Sequence, residues 1–247
     1  MLNEQMKQFK EPGADFRGMP FWAWNAGLEP GELIRQIRVM KEMGLGGFFM
    51  HARVGLNTKY LGPEWFECVR TCVAEAEKLG MKAWLYDEDR WPSGAAGSLV
   101  TREERFRQKI LYAELSENAA SAGEKGETLA WYAVRFEDAL LRSFRRLSDP
   151  ADFPQENGEK LLRCYWVYAP ESSWFNGAAY LDTMSEEAVK RFVEVTHEAY
   201  RREIGGDFGK TVPGIFTDEP CYTQFYGEEP KLPWTTSVPE KFREKYG

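Results

Sequence analysis

The sequence predicts an α/β fold: a TIM (β/α)8-type barrel with only about its first four βα units present over residues 1–247, carrying a small antiparallel β insertion over 116–178. Three observations carry this expectation. Apolar strands alternate with amphipathic helices, which implies a parallel sheet with helices outside it. The strands end in clusters of polar residues, as they do at the active face of a parallel barrel. The rhythm then breaks over 116–178, where β-rich segments follow one another without helices between them. Four parallel strands leave an unpaired edge, so the chain is expected to be completed by the remainder of a longer chain or by a second copy.

Residues 1–18 read as a polar leader with a turn at Pro12-Gly13. Residues 20–25 (Pro-Phe-Trp-Ala-Trp-Asn) form a short apolar strand. Pro30 opens a helix, since proline suits the first turn, and Leu33, Ile34, Ile37, Met40 and Met43 keep helical spacing up to Gly44. The second strand is 46–53, with His51 and Arg53 on one face. A helix over 63–79 buries Trp65, Phe66, Val69, Val73 and Ala76 and stops at Gly80. The third strand begins at Ala83 and runs into Asp87, Glu88, Asp89, Arg90, Trp91 and a Pro-Ser-Gly turn.

A third helix is expected over 102–115, then a polar loop, then strands over 128–136, 140–147 and 160–168. Ser185 caps a long helix to Ile204, with Glu186 and Glu187 suited to its positive end. A fourth strand over 212–217 ends in Asp218-Glu219-Pro220. Residues 221–236 read as a loop, and Ser237 caps a last helix.

Of the 247 residues, 43% are hydrophobic and 29% charged, ordinary for a globular protein. The net charge is −7 without a basic stripe, which argues against nucleic acid or an anionic membrane as partner. No apolar run approaches the length of a membrane span. The N-terminus lacks the apolar core of a secretory signal. Cys68 and Cys72 lie one helical turn apart, a poor geometry for a disulfide, and with Cys164 and Cys221 are read as reduced; a cytoplasmic location is the expectation. Nine Trp and 15% aromatic residues favour a carbohydrate ligand, beside the ordinary role of aromatics in cores.

Several stretches together resemble glycoside hydrolase family 106. These are Pro-Phe-Trp-Ala-Trp-Asn at 20–25, Gly-Gly-Phe-Phe-Met-His-Ala-Arg at 46–53, Tyr-Leu-Gly-Pro-Glu-Trp-Phe at 60–66, Leu-Tyr-Asp-Glu-Asp-Arg-Trp-Pro-Ser-Gly at 85–94 and Phe-Thr-Asp-Glu-Pro at 216–220. The resemblance implies a barrel hydrolase that removes terminal α-L-rhamnose with inversion. It also implies a calcium-assisted sugar site, for which the sequence assigns no ligands; the residues themselves require no cofactor.

Inverting hydrolysis needs a carboxylic acid for the leaving oxygen and a carboxylate base for water. Glu219 stands where related barrel enzymes carry the acid, with the like charge of Asp218 beside it. Glu88 is the best second carboxylate within the chain, on one face with Trp84 and Tyr86; binding sugar hydroxyls or a cation are its alternatives. Asp87 and Asp89 then face helices or loops and pair with Arg90. His51 and Arg53 are substrate-binding candidates, with a satisfied core histidine as the equal alternative for His51, and Asn25, Asp87 and Asp89 join them at the strand ends. Trp24 and Trp91 are candidate sugar platforms, although Trp22 and Trp24 share a face and at least one belongs in the core. His197 reads as structural. A non-catalytic carbohydrate-binding protein is the second reading. A metal-dependent hydrolase would want paired histidines, which His51-Ala52-Arg53 lacks.

Overall fold

The computed structural model describes residues 2–118, 123, 125–153, 158–222 and 232–247, with side chains from residue 5 onward. Four strands form a parallel sheet: β1 (Phe21–Trp24), β2 (Gly47–Ala52), β3 (Lys82–Tyr86) and β8 (Ile215–Phe216), in the order β1-β2-β3-β8. Phe21 pairs with Phe49 and Trp24 with Ala52, which brings the ends of β1 and β2 level. Leu85 pairs with Ile215 and Tyr86 with Phe216.

Helices α2 (Pro30–Glu42) and α3 (Pro63–Leu79) pack on one face of this sheet, joined by α5 (His197–Ile204). The apolar stripes read from the sequence meet there. Trp22, Trp24, Phe48, Met50, Ala83 and Leu85 from the strands close on Leu33, Ile37, Trp65, Val69, Cys72, Val73 and Tyr200 from the helices. Cys68 and Cys72 are buried free thiols in this core. Gly80 ends α3 at φ 63, a left-handed cap in which a Cβ would be strained. The opposite face is aromatic: Phe21, Phe49, Trp84 and Phe216 pack edge to face and stacked around His51 and Tyr86, and Phe21 remains 49% exposed.

A second, antiparallel sheet has the order β6-β5-β7-β4-β9. It comprises β4 (Lys109–Ser116), β5 (Glu127–Glu137), β6 (Leu140–Leu147), β7 (Lys160–Tyr168) and β9 (Leu232–Trp234). The β5–β6 hairpin turns on Asp138 and Ala139, both at positive φ (50 and 62), as a tight two-residue turn requires.

These sheets correct the expected fold class. The parallel sheet is open: β1 and β8 are its edges and do not pair with each other, and the antiparallel sheet stands separate from it. The architecture is a mixed α/β fold, not a TIM barrel of alternating βα units. Closing a barrel takes about eight tilted strands, and strand–helix alternation is equally compatible with an open sheet.

Other segments also depart from expectation. Residues 102–115 do not form one helix. A short 3-10 turn (Glu104–Phe106) is followed by β4, whose ladder to β7 runs from Lys109 opposite Tyr168 to Ser116 opposite Leu161. The spacing of Phe106, Ile110 and Leu111 imitates a helix face, but pairing with β7 decides the conformation. The helix expected from Ser185 to Ile204 breaks into α4 (Glu186–Val195) and α5 at Thr196, whose hydroxyl bonds the Phe192 carbonyl at 2.7 Å. The leader contains helix α1 (Leu2–Lys10), and α6 (Val238–Tyr246) closes the chain as expected. No helix among the described residues is long and apolar enough to cross a membrane.

Candidate active site

The loop that follows β3 is organised around Glu88, which is only 1% exposed. Its Oε1 accepts the amides of Asp89 (2.9 Å) and Gly97 (2.6 Å), and its Oε2 those of Gly94 (2.9 Å) and Ala96 (2.7 Å). Gly94 (φ 149) and Gly97 (φ 59) adopt conformations that let the chain wrap round the carboxylate. Burial pushes the Glu88 carboxyl up to about 7, against the opposing pull of the four amides. With every lone-pair direction of its oxygens engaged, Glu88 shapes the loop and does not face solvent as a base must.

Asp87 is fully buried. Its Oδ1 accepts Ser93 Oγ at 2.6 Å, its Oδ2 accepts Thr217 Oγ1 at 2.6 Å, and His197 Nε2 lies 3.4 Å away. Asp87 therefore pairs across the sheet end and not with Arg90. Ser93 reaches on to the next loop: its Oγ accepts the Asp218 amide and its own amide donates to the Asp218 carbonyl, both at 2.8 Å. Tyr180 adds a brace, donating to the Ser93 carbonyl at 2.6 Å while accepting the Cys221 amide at 3.2 Å. The loops after β3 and β8 are thus locked to each other.

That lock presents two carboxylates. Asp218 Oδ2 accepts the Tyr86 hydroxyl at 2.7 Å. Burial, and then the bond to Asp218, push the Tyr86 phenol well above its ordinary range. Glu219 is exposed, sits at φ 44, and accepts the Trp91 indole N–H at Oε2, 2.9 Å away. A left-handed backbone at a non-glycine residue costs about 1–2 kcal/mol, so the surrounding bonds hold Glu219 in place. Trp91 itself is half-buried, and its carbonyl accepts Trp174 Nε1 at 2.6 Å.

His51 is 7% exposed and packs on the Tyr86 ring, with centroids 3.9 Å apart. Its Nε2 is buried without a hydrogen-bond partner among the described residues. Burial, then the nearby Arg53, lower its pKa to about 4. Trp24 is 2% exposed and packs against Trp22 and Trp65, so it is core and offers no platform to a sugar. Asn25 and Arg53 are exposed at the ends of β1 and β2. Asp89 accepts Asn176 Nδ2 at 2.8 Å and lies 3.6 Å from Arg90 Nε, the pairing expected of it.

The structure therefore brings Asp87, Asp218, Glu219, Trp91 and His51 around the ends of β3 and β8, while Trp24 is withdrawn into the core. Sequence reasoning missed Ser93, Thr217, Tyr180 and the contact of His197 with Asp87. Ser93 carried a signal, its place in the Pro-Ser-Gly turn; Tyr180 carried none. Among the described residues, no group of three or more His, Cys, Asp or Glu side chains is arranged to hold a metal ion. The acidic triplet is engaged by amides, hydroxyls, Asn176 and Arg90, so these three residues are not arranged as calcium ligands.

No protein-family model and no curated protein matches this sequence. Among solved structures, a rhamnosidase from Novosphingobium sp. PP1Y is similar at 19% identity with a TM-score of 0.35, over 50% of this chain and 12% of that one.

Proposed function

We propose that this chain carries the general-acid carboxylate of a glycoside hydrolase, Glu219, as the proton donor. The observation that supports this reading most directly is the exposed Glu219 carboxylate fixed by the Trp91 indole, beside an Asp218 fixed by Tyr86. A general acid must be able to reach the substrate and be held in one orientation. Glu219 would protonate the leaving glycosidic oxygen as the C–O bond breaks, and a water would add to the anomeric carbon, its remaining proton passing to bulk solvent. Trp91 offers an indole beside the reacting carboxylate for the apolar face of a sugar. A terminal α-L-rhamnoside follows from the sequence resemblance alone.

Glu219→Gln tests the reading on a panel of aryl glycosides that includes the α-L-rhamnoside. Loss of about 10²–10⁴-fold in kcat with sugar binding retained is the expected result. Activity close to that of the unaltered chain removes Glu219 from the mechanism. The sequestration of Glu88 favours one second reading, a carbohydrate-binding surface without turnover. Sugar binding in the absence of any hydrolysis by the unaltered chain selects it.

A further inference from the structure

A cavity of about 230 Å3 opens where the end of β2 meets the loop after β3 and the residues leading into α3. Arg53, Lys59, Arg90 and Arg102 line it, and Asp89 is the only carboxylate among its lining residues. We propose that this cavity binds an oxyanion, a carboxylate, sulfate or phosphate, carried on a ligand no larger than about one sugar ring, given that drug-sized ligands take about 300 Å3 or more.

The charge balance of the cavity runs against that of the molecule, whose net charge is −7. Several surface arginines pair with carboxylates, Arg35 with Glu32 and Arg201 with Glu198; others, such as Arg146 and Arg202, make no ion pair among the described residues but do not converge on this cavity. Arg53, Lys59 and Arg102 are exposed, yet among the described residues none makes a side-chain hydrogen bond or ion pair. Asp89 offsets one of the four cations, with its Oδ2 3.6 Å from Arg90 Nε, and leaves Arg53, Lys59 and Arg102 without a carboxylate partner among the described residues. Arg90 spends Nη1 on the carbonyls of Ser173 (3.0 Å) and Trp174 (3.4 Å), while its Nε is buried without a hydrogen-bond partner.

Cations gathered at one cavity repel one another until an anion enters. Guanidinium forks match the paired oxygens of carboxylates, sulfates and phosphates. The inference extends the reading of Arg53 and Asp89 as substrate-binding residues, but it needs no turnover to be tested.

Calorimetric titration with sulfate, phosphate and glucuronate, against glucose as the neutral comparison, is the experiment. Saturable binding of at least one anion and none of glucose is expected. Glucuronate binding tighter than the inorganic ions identifies a sugar acid as the ligand class, and the reverse order identifies an ester group. Arg53→Gln and Arg102→Gln should each weaken binding by about tenfold, with unchanged circular dichroism, while Lys41→Gln on the exposed side of α2 leaves it intact. Absence of saturable binding by all three anions, or binding that survives the Arg53→Gln/Arg102→Gln double variant, overturns the proposal. Glu219→Gln should bind the anion normally, so the two readings stand or fall separately.

Discussion

The indole of Trp91 donates to the carboxylate of Glu219 at 2.9 Å across 128 residues of sequence. One residue belongs to the loop after β3 and the other to the loop after β8. The bond therefore sets the orientation of an exposed acid from a loop whose own shape depends on the buried Glu88.

Trp91→Phe removes the donor and keeps an aromatic ring. Hydrolysis is expected to fall by about tenfold to a hundredfold through loss of orientation, with the melting temperature nearly unchanged because Glu219 is exposed. Steady-state kinetics with a thermal melt separate the two effects. A large loss of stability with intact kcat would instead make the bond purely structural.

Ser93→Ala strips one donor from the buried Asp87 and the acceptor from the Asp218 amide. The expected cost is about 2–4 kcal/mol in urea unfolding, the sum of two abandoned buried groups. Hydrolysis should suffer as well, since the turn that presents Asp218 and Glu219 is released from the loop after β3.

Glu88 and His51 link stability to pH in opposite senses. Glu88 is raised in the fold from 4.5 to about 7, so its contribution is complete below pH 4.5 and is lost as pH rises through about 7. His51 is lowered from 6.5 to about 4, so its contribution is complete above pH 6.5 and is lost as pH falls through about 4. Between these limits each group supplies a slope of at most about 1.4 kcal/mol per pH unit, and the two oppose. His51→Phe should leave stability that falls with rising pH, and Glu88→Gln stability that rises. Unfolding free energies at about pH 5 and about pH 6 decide the matter; identical slopes in both variants would contradict these assignments.

Tyr86→Phe removes the hydroxyl that Asp218 accepts. A loss of about 1–2 kcal/mol in stability is expected from the unpaired carboxylate oxygen. If Asp218 assists Glu219, the pH–rate profile of hydrolysis should shift as well, which a merely structural phenol would not cause.

Local elements were legible in the sequence where their signals are local. Pro63 and Gly80 bracket α3, and the strand over 82–86 follows from its bulky alternating residues. The conformation of 109–116 was not legible, because its partner β7 lies some fifty residues onward and propensity carries no record of that pairing. Sheet closure was not legible for a related reason: each βα unit looks the same in an open sheet and a closed one. At the site, the strand-end position of Asp218 and Glu219 was readable, but their partners were not. Strand alternation extended past Tyr86 puts Glu88 on one face with Trp84 and Tyr86, but the strand ends at Tyr86 and the chain turns inward. Helical spacing places His197 within one long helix; the break at Thr196 instead makes it the first residue of α5, beside Asp87.

The amides gathered on Glu88 have a kinetic signature. Loop amides ordinarily exchange with solvent deuterium quickly, through small local openings. Those of Gly94, Ala96 and Gly97 share one acceptor, so none can be released without disturbing the others and leaving a buried charge unsolvated. They should exchange together, at rates resembling strand amides of β3, and faster exchange should appear in all three at once when Glu88 is replaced. The segment behaves as a closed ring whose clasp is a single side chain.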